Sequence, residues 1–492
     1  MSASGNSIES PAPSVPQSAV PARRAAGDVV GQVVARTLNA LLGVGVTIAL
    51  VRGLGPRGYG DWAALLAVIS IVGYLTSLGL DEVAVRQAAM DRPRESTWMS
   101  ALVSLQLMLS VPVTIAALVV TLLIAHSGPT RVAAVLLSFT CVFSALGSVR
   151  AVFQLRIRNR WTAGFELLNG LLWAIGVFAI AAAGAGIAAF AAVFLAASAI
   201  VNVAQVALAR RQIPLRMRGG GRARVHLLKI GVPFAIASLL YLSYTQIDQV
   251  LVFALDGRRA SGLYGAASKV FERALVIPGS ILATMFPMIA AAYKEDIVRM
   301  RGLIQTAVEV LLVATLPIVG LVAVIGRPLM RLLFGAEFEA AGPALSVLMI
   351  TFAISAFSYV AGDLVIVLRL QRRYIVYAAV GLIVNVGLNV LLIPRYGFMA
   401  AAWVCLFTEL LVIVLALRAV FTTIDQRLRF GRVSRILGVS VAGAAAALIA
   451  REAGLPLVPI GAAWLVATAG AWLVLAPWPV AELRSLLSGR PG

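Results

Sequence analysis

Long apolar runs follow one another along the whole chain, separated by short polar stretches rich in Gly, Pro and Arg. Each run has about 20 residues or more, enough for a helix that crosses a hydrocarbon core of about 30 Å. The runs are rich in Ala, Leu and Val and do not alternate with polar residues, so they favour helices over the strands of a membrane barrel. We predict an all-α polytopic membrane protein with about 14 transmembrane helices. The runs lie at 28–51, 59–80, 99–125, 131–150, 162–183, 186–208, 230–255, 262–292, 302–325, 343–367, 374–393, 397–417, 433–450 and 457–476.

The composition agrees with a membrane protein, because 61% of the 492 residues are hydrophobic and 13% are charged. Cys141 and Cys405 both fall inside apolar runs, which argues against a disulfide framework and against a thiolate metal site. No glycine-rich phosphate loop followed by Lys-Ser or Lys-Thr occurs in the sequence. We therefore expect no cofactor and no ATPase activity of the chain's own.

The formal net charge of +20 is distributed unevenly between the two sides of the predicted membrane. Over alternate loops, 29 of the 41 Lys and Arg residues lie on the side that holds both termini, and 9 lie on the other side. Loops rich in Lys and Arg stay in the cytoplasm, so both termini are predicted to be cytoplasmic in a multi-pass protein of the cell membrane. This basic surplus suits anionic membrane lipid, and no nucleic-acid partner is expected.

A basic, glycine-containing linker separates six runs from eight. The stretches ALVRGLGPRGYGDWAALLA (49–67) and ALDGRRASGLYGAASKVFE (254–272) each join two runs through a similar turn, an internal echo typical of transporters built from two repeats around a central cavity. The predicted units are a disordered cytoplasmic tail at 1–27, a first lobe of helices 1–6 at 28–208, the basic cytoplasmic linker at 209–229, a second lobe of helices 7–12 at 230–417, helices 13 and 14 at 418–476, and a cytoplasmic tail at 477–492.

Three cations remain inside the runs, namely Arg36, Lys269 and Arg273. A charge in the bilayer centre is costly, so these side chains should face protein or water. Helical spacing places Glu272 beside Lys269, and counting from the predicted helix ends places Asp248 at the same depth as Lys269. Two interpretations stay open. Either these charges neutralise one another and lock a helical hairpin, or the cations bind an anionic group in a hydrated cavity while Asp248 and Glu272 balance charge or couple an ion.

Other polar residues in the runs receive a structural interpretation. Acidic residues near predicted run ends are expected to be interfacial, with a lesser case for a coupling role. Two asparagines one turn apart are expected to join helices. Two prolines should bend the eighth run. The acidic residues are Glu166, Glu309, Asp363 and Glu409. The asparagines are Asn385 and Asn389, and the prolines are Pro278 and Pro287.

Several stretches resemble the bacterial Wzx-type polysaccharide flippases of the multidrug/oligosaccharidyl-lipid/polysaccharide exporter superfamily. The matching pieces are LGPRGYGDWAALLAVISIVGYLTSLGLDEVAVRQ, YTQIDQVLVFALDGRRASGLYGAASKVFERALVIPGSILATMFP, LLFGAEFEAAGPALSVL and NVGLNVLLIPRYGFMAAAWVCLFTE. They appear in the order expected for that family and cover about a quarter of the chain. The resemblance implies two six-helix lobes around a cavity plus two further helices. It also implies polar roles for Asp248, Lys269 and Arg86, and it supports Arg36 by its place in the first helix only.

By this resemblance the chain is a transporter and not an enzyme. It is expected to move a polyprenyl pyrophosphate-linked oligosaccharide across the cell membrane by alternating access, with membrane lipid, a polysaccharide polymerase and glycosyltransferases as partners. Arg36, Lys269, Arg273 and Arg86 would bind the substrate, since guanidinium and ammonium groups suit phosphate oxygens. The alternatives are a drug or organic-cation antiporter of the same superfamily, and a non-transporting scaffold of a polysaccharide assembly complex. The sequence specifies neither the glycan nor the driving ion.

Overall fold

The computed structural model describes residues 22–156, 159–214, 220–425 and 431–475, which are helical and contain no strand. The helices are α1 (Ala22–Ser77), α2 (Leu80–Met90), α3 (Glu95–Ile124), α4 (Gly128–Ser138), α5 (Thr140–Leu146), α6 (Arg150–Leu155), α7 (Asn159–Ala182), α8 (Ile187–Arg210), α9 (Gly221–Asp256), α10 (Arg258–Ala274), α11 (Val276–Glu295), α12 (Ile297–Phe334), α13 (Gly342–Val367), α14 (Gln371–Tyr396), α15 (Phe398–Ile424), α16 (Gly431–Glu452) and α17 (Leu457–Leu475). Three short 3-10 helices lie at Arg92–Arg94, Gly147–Val149 and Ala336–Ala341.

Twelve helical stretches within the described residues are long and apolar enough to cross a membrane. The first of them, Leu38–Met90, contains two crossings, because α1 is interrupted at Gly55 by non-helical backbone angles. The 36-residue helix α9 spans about 54 Å and adds a further crossing. The prediction of an all-α membrane protein with roughly fourteen crossings is therefore confirmed.

The predicted tails and linker overlap these helices only in part. Residues 22–27 of the predicted N-terminal tail form the start of α1, while 1–21 and the tail at 477–492 lie outside the described residues. Helix α9 begins at Gly221, so the second half of the predicted linker is already helical. Its middle, 215–219, also lies outside the described residues.

The eighth predicted run is two helices in the structure. Helix α10 ends at Ala274 and α11 begins at Val276, with Pro278 in the first turn of α11. Proline has no N–H to donate to the carbonyl four residues earlier, and its ring collides with that turn, so the ladder is interrupted here. The proline bend expected from the sequence is present at this point.

In the structure, each of the two similar sequence stretches contains a sharp corner at a glycine. Gly55 has φ 63° and ψ 177°, and Gly257 has φ 88° and ψ −178°, so both have nearly the same backbone shape. Each ends one helix, and the next helix begins at the following residue. A side chain is strained at these positive φ values, which is why glycine occupies both positions. We call the membrane end that carries these corners the outer end, following the predicted charge distribution, and the opposite end the inner end.

The second part of α1 and the start of α10 cross almost backbone to backbone at the outer end. A Cβ atom placed on Gly60 would lie 1.8 Å from the carbonyl oxygen of Arg258, and one placed on Gly262 would lie 1.8 Å from that of Pro56. The two contacts are reciprocal, as expected for two helices related by an approximate twofold axis. Only residues without a Cβ allow this approach.

The predicted lobes also meet at the inner end, through α9. Its first turns pack on α2 and α3, where Leu227 is fully buried. Gly231 lies against Leu80, and the rings of Trp98 and His226 are 5.6 Å apart. The two predicted lobes are thus in contact at both ends of the bundle.

Helices α16 and α17 attach to the outside of α12. Glu309 of α12 is only 2% exposed, and its carboxylate accepts hydrogen bonds from Arg432 at 3.1 Å and from Gln305 at 2.7 Å. Glu309 is therefore buried in an ion pair that fastens α16, and its interfacial depth stays a prediction. Gly320 meets Ala444 of α16 at close range, which brings the two helices together.

The glycine crossing generates a stability prediction. Gly262→Ala should destabilise the protein by about 1–3 kcal/mol, because the new methyl group collides with the Pro56 carbonyl and the helices must separate. Thermal unfolding of the purified protein checks this. Gly387→Ala is the matched control, since a methyl group there meets open space and alanine favours the helix. Equal melting temperatures for the two variants would contradict the close crossing.

Candidate functional site

A cavity of about 510 Å³ lies between α1, α7, α8 and α10. Gly43, on its wall, is twelve residues before the Gly55 corner, or about 18 Å along the helix, which is near mid-depth in a membrane. The lining residues combine both predicted lobes, because α10 belongs to the second and the other three helices to the first. They are Asn39, Ala40, Leu42, Gly43, Val46, Thr47, Leu50, Tyr59, Trp62, Leu66, Glu166, Asn169, Gly170, Trp173, Phe194, Lys269, Glu272 and Arg273.

Arg273 extends from α10 across the cavity toward α1. Its guanidinium lies over Gly43, where a Cβ atom would be 3.0 Å from Nη2. The side chain is exposed to the cavity, and it forms no ion pair with any acidic residue in the described part of the chain. Gly43 provides the space that this guanidinium occupies, so the local sequence of α1 and the position of Arg273 fit each other.

Lys269 and Glu272 form an ion pair on the same helix face. The Lys269 Nζ and Glu272 Oε2 atoms are 2.6 Å apart, and both side chains remain more than one-third exposed to the cavity. Because both charges face the cavity, this pair can rearrange when an anion binds. The pairing of Lys269 with Glu272 agrees with the prediction from helical spacing.

The wall opposite Arg273 presents amides and a carboxylate. The Asn39 side chain of α1 packs against Gly170 of α7 and donates to the backbone oxygen of Glu166 at 3.4 Å. Asn169 and the Glu166 carboxylate are exposed on the cavity side of α7. Helix α7 therefore presents Glu166 to the cavity, and its interfacial depth stays a prediction.

Three aromatic rings form the outer part of the cavity wall. Trp62 and Trp173 are stacked, with ring centroids 5.8 Å apart and planes 10° apart. Phe194 meets both rings edge to face, at 6.0 Å from Trp62 and 5.1 Å from Trp173. Such a cluster is rigid, and it offers a flat apolar surface beside the polar groups.

Two predicted site residues stand apart from this group. Arg36 belongs to α1, but its side chain lies outside the described residues; Asn39 and Ala40, one turn further along, line the cavity. Arg86 is exposed on α2 near the inner end and does not line the cavity.

The motif that contains Arg86 contributes a structural ion pair. Asp81 is buried and accepts a hydrogen bond from Arg150 Nε at 2.9 Å and another from Gln106 at 2.8 Å. These bonds hold α2 against α3 and α6. Arg86 takes no part in these bonds, and it is the basic side chain that α2 exposes at the inner end.

The predicted cluster of Asp248 with Lys269, Glu272 and Arg273 is wrong as far as Asp248 is concerned. Asp248 is 5% exposed, and its carboxylate accepts from Asn389 at 2.7 Å and from Tyr264 at 3.2 Å. Counting depth from the predicted helix ends did not identify neighbours here, because Asp248 and Lys269 lie on different sides of the α9–α10 hairpin. Asp248 faces α14, whereas Lys269 faces the cavity.

Asp248 is one end of a polar network inside the second lobe. Asn389 donates to Asn385 at 3.0 Å, and Asn385 donates to Thr408 of α15 at 3.4 Å. The side-chain oxygen of Asn389, Oδ1, is buried and has no hydrogen-bond partner among the described residues. The two asparagines thus join α9, α14 and α15, as expected, and leave one acceptor free beside a carboxylate.

The network continues to a second carboxylate. Tyr244 donates to Glu409 at 3.1 Å, and Ser358 donates to the other oxygen of Glu409. Glu409 is therefore hydrogen-bonded inside the second lobe, and its expected interfacial depth stays a prediction. Asp363 is half-buried on α13, at a different turn of the same helix as Ser358.

An ion pair joins the predicted lobes at the outer end. Asp61, which is 2% exposed, receives two hydrogen bonds from Arg258, one of them 2.6 Å from Nε to Oδ1. Thr130 of α4 donates to the same carboxylate at 3.1 Å. Arg52 donates from α1 to the Leu333 carbonyl at the end of α12, at 2.8 Å. These bonds close the outer end above the cavity.

Sequence reasoning missed Asp61, Arg258 and the aromatic wall. Asp61 directly follows the Gly-Tyr-Gly of the first echo, and Arg258 directly follows the glycine corner of the second, so the repeat contained the signal. Trp62 and Trp173 are more than 100 residues apart, and nothing in the sequence indicates that their rings stack. Within the described residues, no group of three His, Cys, Asp or Glu side chains could hold a metal ion.

Comparisons with known proteins agree with this architecture. A family model described as "Polysaccharide biosynthesis protein" matches residues 49–343. No curated protein sequence matches the chain. Among solved structures, a lipid II flippase MurJ in an inward closed conformation matches with a TM-score of 0.76 and 12% identity, over 93% of this chain and 99% of that one.

Multidrug resistance MATE family transporters of the MOP superfamily match as well. An inward-facing one gives a TM-score of 0.66 with 12% identity, over 79% of this chain and 94% of that one. An outward-facing one gives 0.55 with 13% identity, over 80% and 94%. At these identities the likeness shows the fold, which these proteins share with the chain.

A double-mutant cycle tests the position of Asp248. Because Asp248 bonds to Asn389 and not to Lys269, Asp248→Asn and Lys269→Ala should change the free energy of unfolding additively, within about 0.5 kcal/mol. Asp248→Asn combined with Asn389→Ala is the matched pair and should show a coupling above that value. Chemical or thermal unfolding of the purified variants supplies the numbers. Strong coupling of Asp248 to Lys269 would restore the cluster predicted from the sequence.

The outer ion pair predicts a change in accessibility. Arg258→Ala should open the outer end and raise the rate at which an impermeant maleimide, added outside, labels a cysteine at Thr47, by about tenfold. The two native cysteines are first replaced by alanine. Arg259→Ala is the control, since Arg259 is exposed and has no ion pair among the described residues. Equal labelling in the two variants would mean that the pair does not hold the outer end closed.

Proposed function

The chain belongs to the polysaccharide biosynthesis protein family, and on that premise we propose that it moves a polyprenyl pyrophosphate-linked oligosaccharide across the cell membrane by alternating access. The polyprenyl tail would stay in lipid while the pyrophosphate and sugars cross through the cavity. Both termini would be cytoplasmic, so the sugar would travel from the inner to the outer end.

One observation carries the proposal, namely an unpaired guanidinium at mid-depth in an interlobe cavity. Arg273 has no acidic partner among the described residues, and the Lys269 ammonium lies one turn away. A charge held there without a partner is unfavourable unless water or a ligand solvates it. A pyrophosphate supplies several oxygens that a guanidinium binds through two parallel hydrogen bonds.

The remaining walls suit the sugars. Asn39, Asn169 and Glu166 present amide and carboxylate groups that can exchange hydrogen bonds with hydroxyls. The Trp173 ring offers a flat face against which the apolar side of a sugar ring can pack. A pocket with an apolar aromatic wall and a few placed polar groups is the usual form of a small-molecule site.

We assign the two remaining predicted residues to earlier steps of the path. Arg36 lies one turn toward the inner end from Asn39, so it would meet the pyrophosphate on its way into the cavity. Arg86, on the exposed side of α2, would attract the anionic headgroup at the inner surface. Glycosyltransferases that build the lipid-linked sugar and a polymerase that consumes it would be the partners.

We propose that Asp248 couples transport to a cation. Its buried carboxylate has no cationic partner in the described part of the chain, and the unpaired Oδ1 of Asn389 lies in the same network. A proton or a sodium ion would compensate this charge. Because the network joins α9, α14 and α15, its occupancy can change how these helices pack against α10 and therefore the cavity.

A drug or organic-cation antiporter is the second candidate. The Trp62 and Trp173 wall and the Glu166 carboxylate favour it, since aromatic faces and carboxylates bind organic cations. Arg273 opposes it, because a guanidinium beside Glu272 repels a cationic cargo. A scaffold without transport activity would have no use for an unpaired cation at mid-depth.

Transport in proteoliposomes tests the proposal. A fluorescent polyprenyl pyrophosphate oligosaccharide is scored by its protection from an impermeant quencher. Arg273→Ala and Lys269→Ala should each lower the initial rate at least about tenfold, because a charge-assisted contact to phosphate is lost. Arg273→Lys should retain part of the rate. Arg395→Ala, at the exposed outer end of α14, is the control and should leave it unchanged.

The same assay separates the candidates. Wild-type rates in both Arg273→Ala and Arg36→Ala would overturn the cavity as the substrate site. Uptake of an organic cation that depends on Glu166, without transport of the lipid-linked sugar, would establish the antiporter instead. Asp248→Asn should keep the rate measured without an ion gradient and lose its stimulation by a gradient.

A further inference from the structure

A second cavity, of about 520 Å³, lies near the inner end, between the second half of α11 and the end of α13. Three of its residues, Phe286, Ala290 and Tyr293, are spaced by four and three positions and so share one face of α11. Ile366 and Leu368 form the other wall, and Arg369 stands at the end of α13. The cleft is therefore apolar along its length and carries one cation at one end.

Arg369 adopts a backbone conformation that normally requires glycine. Its φ is 57°, and the next residue, Leu370, donates to the Val365 carbonyl at 2.9 Å, which closes the end of α13. Helices that end in this way usually have glycine at the left-handed position. A side chain there is strained, and strain of this kind concentrates at ligand sites. An arginine thus occupies a position whose backbone conformation favours glycine.

The charges around the cleft lack partners. Arg369 forms no ion pair among the described residues, and neither do Arg372 and Arg373 in the first turn of α14. Cations are unfavourable at the start of a helix, where the helix dipole is positive, and this turn contains no acidic residue. The nearby Asp296 is occupied as the cap of α12, where it accepts two backbone N–H groups. Glu295 is exposed at the end of α11 and forms no ion pair with these arginines among the described residues, and the three cations outnumber it.

We propose that this cleft is a binding site for an anionic phospholipid of the inner leaflet, with the phosphate at Arg369 and an acyl chain along the α11 face. Free phosphate would satisfy the guanidinium but leave the apolar walls uncovered. A phospholipid covers both, and Ile366 and Tyr293 are already exposed toward the surroundings of the bundle. Tyrosine and arginine at such a depth are typical of contacts with lipid headgroups.

Arg369→Gly provides a test that separates binding from folding. Glycine suits the local φ, so the variant should be at least as stable as wild type in nanodiscs of pure phosphatidylcholine. Adding phosphatidylglycerol should raise the melting temperature of wild type more than that of Arg369→Gly. Native mass spectrometry should show retention of phosphatidylglycerol about tenfold weaker in the variant. Ala290→Phe, which fills the cleft and keeps the arginine, should weaken retention as well.

Arg210→Ala is the control, because Arg210 is an exposed cation of the predicted inner side on α8, far from the cleft in sequence and in the other lobe. It should retain phosphatidylglycerol as wild type does. Equal retention by wild type, Arg369→Gly and Ala290→Phe would overturn the proposal, as would an equal loss in Arg210→Ala. Competition by inorganic phosphate at millimolar concentration would also overturn it, by showing that the site recognises a free anion.

Discussion

A charge within the apolar thickness of a membrane must have a partner, or water, or a ligand, and this constraint organises the protein. Asp61 meets Arg258, Glu309 meets Arg432, and Lys269 meets Glu272. Each pair also joins two helices or two turns. Arg273 is the cation at mid-depth that remains without such a pair in the described residues, and it is found where the helices leave a cavity.

The lobes pack against each other at both ends of the bundle, and the cavity lies at mid-depth between α1, α7, α8 and α10. At the outer end the absence of side chains at Gly60 and Gly262 lets two backbones meet, and the Asp61 carboxylate is then within reach of Arg258. At the inner end Leu227 of α9 fills the space against α2 and α3. Between these two ends, Arg273 and the stacked tryptophans line the same cavity.

The errors of sequence reasoning share a physical cause. Depth along a helix was counted at 1.5 Å per residue from the predicted helix ends, and that count alone put Asp248 beside Lys269. The direction of each side chain around the helix axis depends on which neighbouring helices pack there. Asp248 points toward α14, where it accepts a hydrogen bond from Asn389. In the same way, α7 directs Glu166 toward the cavity and α15 directs Glu409 toward Tyr244, and position along a run indicates neither direction.

The sequence by itself determined the membrane class, the number of crossings, the internal repeat and the ion pair of Lys269 with Glu272, because these depend on apolar length and on local helical spacing. Only the tertiary structure decided which charges meet across helices, as Arg258 and Asp61 do over nearly 200 residues of chain. It also decided that Trp62 and Trp173 stack beside Arg273. Contacts between distant residues depend on helix rotation and crossing, and uniformly apolar helices encode neither in a pattern that can be read along one chain.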